Sequence, residues 1–86
     1  MPKPIVLSPH AHRQLAERGL AKKEVTRTVE QPEQLIPNGN RLIAQRRITH
    51  AEGLYLLRVI YEEDAEQIIV VTVYQTSKVN KYWRQP

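Results

Sequence analysis

Two side chains of this 86-residue chain are placed to do chemistry on a phosphate, His10 and Arg58. His10 opens the run HAHRQLAERGL, His10 to Leu20, directly after Ser8-Pro9. The unpaired backbone amides of a first helical turn disfavour an added positive charge, so an imidazole there tends to stay neutral and suits a general base or acid. Arg58 lies inside LYLLRVIY, where every immediate neighbour is apolar or aromatic. A guanidinium in that setting must reach water, a carboxylate or a ligand, and its planar fork fits a phosphate in a way lysine does not.

The tail TSKVNKYWRQP adds Thr76, Ser77, Lys78, Lys81, Tyr82, Trp83 and Arg84. Basic residues interleaved with aromatics can grip a nucleic-acid backbone and stack an unpaired base. The alternative is that Tyr82 and Trp83 pin the chain end to the domain while the lysines face water. Arg46-Arg47 adds basic surface. His12 points to another side of the helix from His10, and His50 reads as an ordinary turn residue, so no metal site is expected from the three histidines.

These residues must be positioned by one domain, because a second core would leave each piece too small to offset its conformational entropy. A hydrophobic content of 41% fits a globular chain, and the absence of cysteine removes disulfides, thiolate nucleophiles and the common structural zinc sites. No cofactor is expected. The sequence shows neither a signal peptide's apolar stretch nor a run of membrane-spanning length, which predicts a cytoplasmic protein. Net charge is +4, and four of the nine acids (Glu62, Glu63, Asp64, Glu66) crowd one predicted hairpin tip, leaving the body more cationic. An anionic partner fits that distribution.

Ser8 can cap a helix that begins at Pro9 and ends near Arg18, with Gly19 supplying the left-handed residue after the last turn. Ala11, Leu15 and Leu20 form a narrow apolar stripe, leaving Arg13, Gln14 and Glu17 largely off it. Val25 and Val29 predict a second helix over Lys22 to Gln31, stopped by Pro32. Strands are expected at Gln34 to Pro37, Arg41 to Thr49, Leu54 to Tyr61 and Gln67 to Thr76, with turns at Asn38-Gly39-Asn40 and Glu52-Gly53. Pairing Tyr61 with Gln67 sets Val59 beside Ile69, Leu57 beside Val71 and Tyr55 beside Val73 as a core face for the helices. Arg58, Thr72 and Tyr74 then look the other way. His10 can join them only if the start of its helix reaches the sheet edge.

Taken together, His10-Ala11, the RGL of Arg18 to Leu20, QPEQLI after the second helix, and the strands LLRVIYEE and IIVVTVYQTSKVNKYW resemble a widespread bacterial family of unknown function. That family is assigned to the superfamily of barnase, EndoU, colicin nucleases and RelE-type toxins. The resemblance implies an α+β fold of RelE-like form, two N-terminal helices packed on one face of a four-stranded antiparallel sheet. It also implies a metal-independent endoribonuclease of toxin–antitoxin type, with RNA, including ribosome-bound mRNA, and an antitoxin protein as partners. The family's helix pattern is similar to His-Ala-x-x-Arg-(Met/Leu)-x-x-Arg-Gly-(Ile/Leu), and Gln14 stands at its middle arginine, which implies a weakened or inactive enzyme if that arginine stabilises charge.

In such an enzyme the ribose 2′-hydroxyl attacks the adjacent phosphorus under general acid–base catalysis. His10, Arg58, Tyr74 and Lys78 are the expected catalytic residues, and Arg13, Arg18, Thr72, Lys81 and Tyr82 the expected substrate-binding ones. The rival expectation is a non-catalytic module of the same fold that binds RNA or an acidic protein. A third is an edge strand, Gln34 to Pro37, that pairs with another chain.

Overall fold

The computed structural model describes residues 3–84. Eight elements follow one another: β1 (Ile5–Leu7), α1 (Pro9–Arg18), α2 (Lys22–Glu30), β2 (Gln34–Asn38), β3 (Arg41–His50), β4 (Gly53–Glu63), β5 (Ile68–Thr76) and α3 (Val79–Tyr82). Helix α1 is built as its sequence dictates. Ser8 Oγ accepts from the Ala11 amide at 3.0 Å, Pro9 takes the first turn, and Gly19 at φ 63° closes the last.

The five strands form one mixed sheet in the order β1-β5-β4-β3-β2, with β1 parallel to β5 and every other pair antiparallel. This corrects the expected four-stranded antiparallel sheet under two helices, because there is a fifth strand and a third helix. The fifth strand is only Ile5–Leu7, too short to show a period of two. It is held by pairing with residues more than sixty positions away, Ile5 with Ile68 and Leu7 with Val70. The third helix is a single turn.

The β4–β5 register also differs from expectation. Val59 faces Val73 and Leu57 faces Gln75, whereas beyond Ile60 the partner of Tyr61 is Val70. Thr72 opposes Ile60, so Val71 is an extra residue on β5, a bulge that exchanges its faces. The bulge is why Val70 and Val73, three apart, both lie in the core, which simple alternation does not allow.

Ala11, Leu15, Val25 and Val29 from the two long helices pack with Ala44, Leu57, Val59, Tyr61, Val70 and Val73 from the sheet. Both helices therefore cover one face, as expected. Helix α1 also closes the β5 edge where β1 runs out. Gln14, buried, accepts the Val73 amide at 2.8 Å, and Arg18 donates to the Val73 carbonyl at 2.9 Å. An open β edge is thus satisfied by side chains rather than by a strand. No helix among the described residues is long and apolar enough to cross a membrane.

Candidate functional site: a polar row across the second sheet face

Each residue neighbouring the core row Ala44, Val59, Val73 points to the opposite face, because side chains alternate along a strand. There the register sets Gln34 of β2 against Gln45 of β3, Gln45 against Arg58 of β4, and Arg58 against Tyr74 of β5. Four polar side chains thus stand in one line across four strands. They are bonded in sequence. Gln45 Nε2 donates to Gln34 Oε1 at 2.6 Å, Arg58 Nε donates to Gln45 Oε1 at 3.0 Å, and Arg58 Nη1 donates to the Tyr74 hydroxyl.

Gln45 is fully buried and uses its amide completely, donating also to the Tyr82 carbonyl at 3.1 Å. A buried amide without partners costs about 1–3 kcal/mol, so the row is stable only as a connected set. Gln34 extends it to the tail, accepting from the Arg84 amide at 3.0 Å and donating to the Arg84 carbonyl at 2.7 Å.

Helix α3 packs against β4 on this side and lays the Tyr82 ring over Arg58, 4.4 Å from the guanidinium carbon to the ring centroid. Tyr74 meets the same ring edge to face at 6.4 Å. Arg58 is half-buried, and none of the ion pairs among the described residues includes it. Its guanidinium has a nitrogen, Nη2, that donates to no protein group among the described residues. A partly desolvated cation held by neutral groups, with donors to spare, is arranged to take an anion.

Beside the row, Arg47 bonds Glu33 and lies 4.3 Å over the Trp83 ring. The three Arg47 bonds to its carboxylate hold the Glu33 pKa below the usual 4.5. Arg46 turns to the helix side, where its Nη1 is buried without a hydrogen-bond partner among the described residues.

The structure brings together Arg58, Tyr74 and Tyr82, with half-buried Thr72 on the same face and exposed Lys78 and Lys81 on the covering segment. It does not bring His10, Arg13 or Arg18 to them. His10 and Arg13 are exposed on α1, and Arg18 is spent on the β5 edge. Helix α1 packs through Ala11 and Leu15 against the other face. Gln14 likewise faces the core side, so its identity acts on α1 docking rather than on the Arg58 row. His50 bonds Gln75 at 3.0 Å and sits edge-on to Tyr55.

Gln34 and Gln45 were not legible as site residues. The available signal was a glutamine inside LIAQRRI, a strand position otherwise demanding an apolar side chain.

Residues 7–75 match the family described as a domain of unknown function (DUF4258). The chain belongs to that family. The DUF4258 match holds the whole row from Gln34 to Tyr74 but ends before α3, so Tyr82 and the lysines lie outside it. No curated protein and no solved structure matches the chain.

Proposed function

We propose that this protein is a metal-independent endoribonuclease whose site is the second sheet face, centred on Arg58 and Tyr74. The observation that carries the reading is Arg58 itself, half-buried, without a carboxylate and bonded to a phenolic hydroxyl. The guanidinium holds the scissile phosphate and stabilises the charge that develops as the 2′-oxygen bonds to phosphorus. Solvent takes the 2′-hydroxyl proton, and Tyr74 gives its proton to the departing 5′-oxygen as that P–O bond breaks. The products are a 2′,3′-cyclic phosphate and a 5′-hydroxyl, and the tyrosinate regains a proton from water. Lys78 and Lys81 meet neighbouring phosphates. The toxin-type assignment, an antitoxin partner and a cytoplasmic location belong to this proposal and rest on the motif resemblance.

The test is cleavage of a labelled single-stranded RNA in EDTA. Removing one well-placed donor costs about 10²–10³-fold in rate, so Tyr74→Phe and Arg58→Lys should each lose at least the smaller factor while His10→Ala stays within about threefold. A Tyr74→Phe protein that cuts at the wild-type rate would sink the mechanism.

A second reading has its own observation. The donors Nε and Nη1 of Arg58 are already bonded within the protein and Tyr82 covers its face. That arrangement suits a module that binds RNA or an acidic protein without cutting. Absence of cleavage with retained, strongly salt-dependent RNA binding would select it.

A further inference from the structure

Beyond the row, at the start of β4, a hollow of about 430 Å³ lies between Leu54 and the segment from Ser77 to Lys81. We propose that it is a base-binding subsite for an unpaired nucleotide of RNA, so that the substrate class is single-stranded. This rests on the reading of the second sheet face as an RNA surface. Leu54 is four residues from Arg58 on the same strand, so both lie on that face, roughly 13 Å apart at 3.3 Å per residue. The hollow is therefore a separate place from the guanidinium but on its path.

Its chemistry divides in the way a nucleotide does. Leu54, 49% exposed, and Val79 are the apolar side chains of the lining, available to the flat face of a base. Asn80 offers a carboxamide that can both donate to and accept from a base edge. Lys78 and Lys81, both exposed, supply cations for the flanking phosphates, Ser77 adds a hydroxyl, and no carboxylate among the described residues lines the space. The volume falls within the range of small-ligand sites. A base paired within a duplex has neither its face nor its edge free, so only an unpaired one can enter.

The experiment is binding of a fluorescent, uncleavable 2′-O-methyl RNA, read by anisotropy, against an all-abasic backbone of equal length. Leu54→Ala should weaken the base-bearing probe about fivefold or more, from the apolar area that a base covers on the leucine side chain. The abasic probe should change by less than about twofold. Lys81→Ala should weaken both probes and lower the salt slope by about one. A self-complementary duplex should bind worse than the single strand.

Leu54→Ala acting equally on both probes, or on neither, overturns the subsite while leaving the RNA reading intact, since the wild type still binds. A wild type that binds neither probe overturns both. Binding of a fluorescent polyglutamate peptide that Lys81→Ala weakens, with neither RNA probe bound, assigns the surface to an acidic peptide and overturns the proposal as well. Because the probe cannot be cut, failure of the nuclease chemistry leaves this measurement interpretable.

Discussion

The two faces of the sheet are built on opposite principles. Under α1 and α2, apolar side chains from both helices and the sheet meet in one buried cluster. Under α3, the corresponding row is glutamine, glutamine, arginine and tyrosine, each bonded to the next. The first face gains from apolar area removed from water and tolerates imperfect direction. The second depends on direction, because every donor and acceptor in it must be matched. A chain this small has little stability to spare for a buried amide and an uncompensated guanidinium. Gln14 and Arg46 put a buried amide and a buried guanidinium nitrogen on the helix side too, but only the second face links its polar side chains into one continuous row. That row is where the proposed function places its site.

If that division is right, a cavity on the helix side should cost the most stability and the least function per folded molecule. Leu57 is fully buried between the helices and the sheet. Leu57→Ala should destabilise by about 2–5 kcal/mol, a large share of the roughly 5–15 kcal/mol typical of a domain. Urea unfolding would show it as a lower midpoint at unchanged slope. RNA binding by the fraction that remains folded should match the wild type. Weakened binding at full folding would break the comparison by showing that the two faces are mechanically coupled.

The polar face should respond in the reverse sense. Gln45→Leu keeps approximate volume but leaves Arg58 Nε, Gln34 Oε1 and the Tyr82 carbonyl each short of one bond. Each of the three belongs to a half-buried residue that water can reach in part, so the expected total is about 1–3 kcal/mol, smaller than the cavity. The tail should loosen locally, raising amide exchange at Trp83 and Arg84 while the core amides stay protected. Uniform loss of protection would show that the row supports the whole fold instead of holding one segment.

What the sequence made legible follows the same division. Helix α1 could be placed to the residue because its signals are local: a serine cap, a proline and a glycine within eleven positions. The strands β2 to β5 showed their composition and turns, so the helix-covered face and the outward aim of Arg58 and Tyr74 could be argued. The fold as a whole could not. Strand β1 is three residues whose only support is a distant parallel partner, and the Val71 bulge leaves no mark in IIVVTV. The site was half legible for a related reason. An arginine amid apolar residues announces itself, whereas Gln34 and Gln45 acquire meaning only once the register lines them up. His10 has a local setting that suits a catalytic base, while its helix packs on the other layer.

The smallest effect is expected from protons, and it sharpens the comparison further. The Glu33 carboxylate accepts the Arg47 amide and guanidinium, which lowers its pKa in the folded state. The unfolded chain binds that proton more readily, so stability rises with pH through the window. The contribution is complete above the ordinary value near 4.5 and is lost as pH falls through the lowered one. Glu33 is well exposed, so the effect is small and shrinks with added salt. Asp64 moves the same way, held down by the Glu66 and Gln67 amides at the distant hairpin. The two can be told apart, because Arg47 also covers Trp83, the single tryptophan. Acid titration should therefore change Trp83 fluorescence before the far-ultraviolet helical signal falls, and Glu33→Gln should abolish the early change. If fluorescence and helicity move together in both proteins, the tail is not an independent unit and the polar face unfolds only with the core.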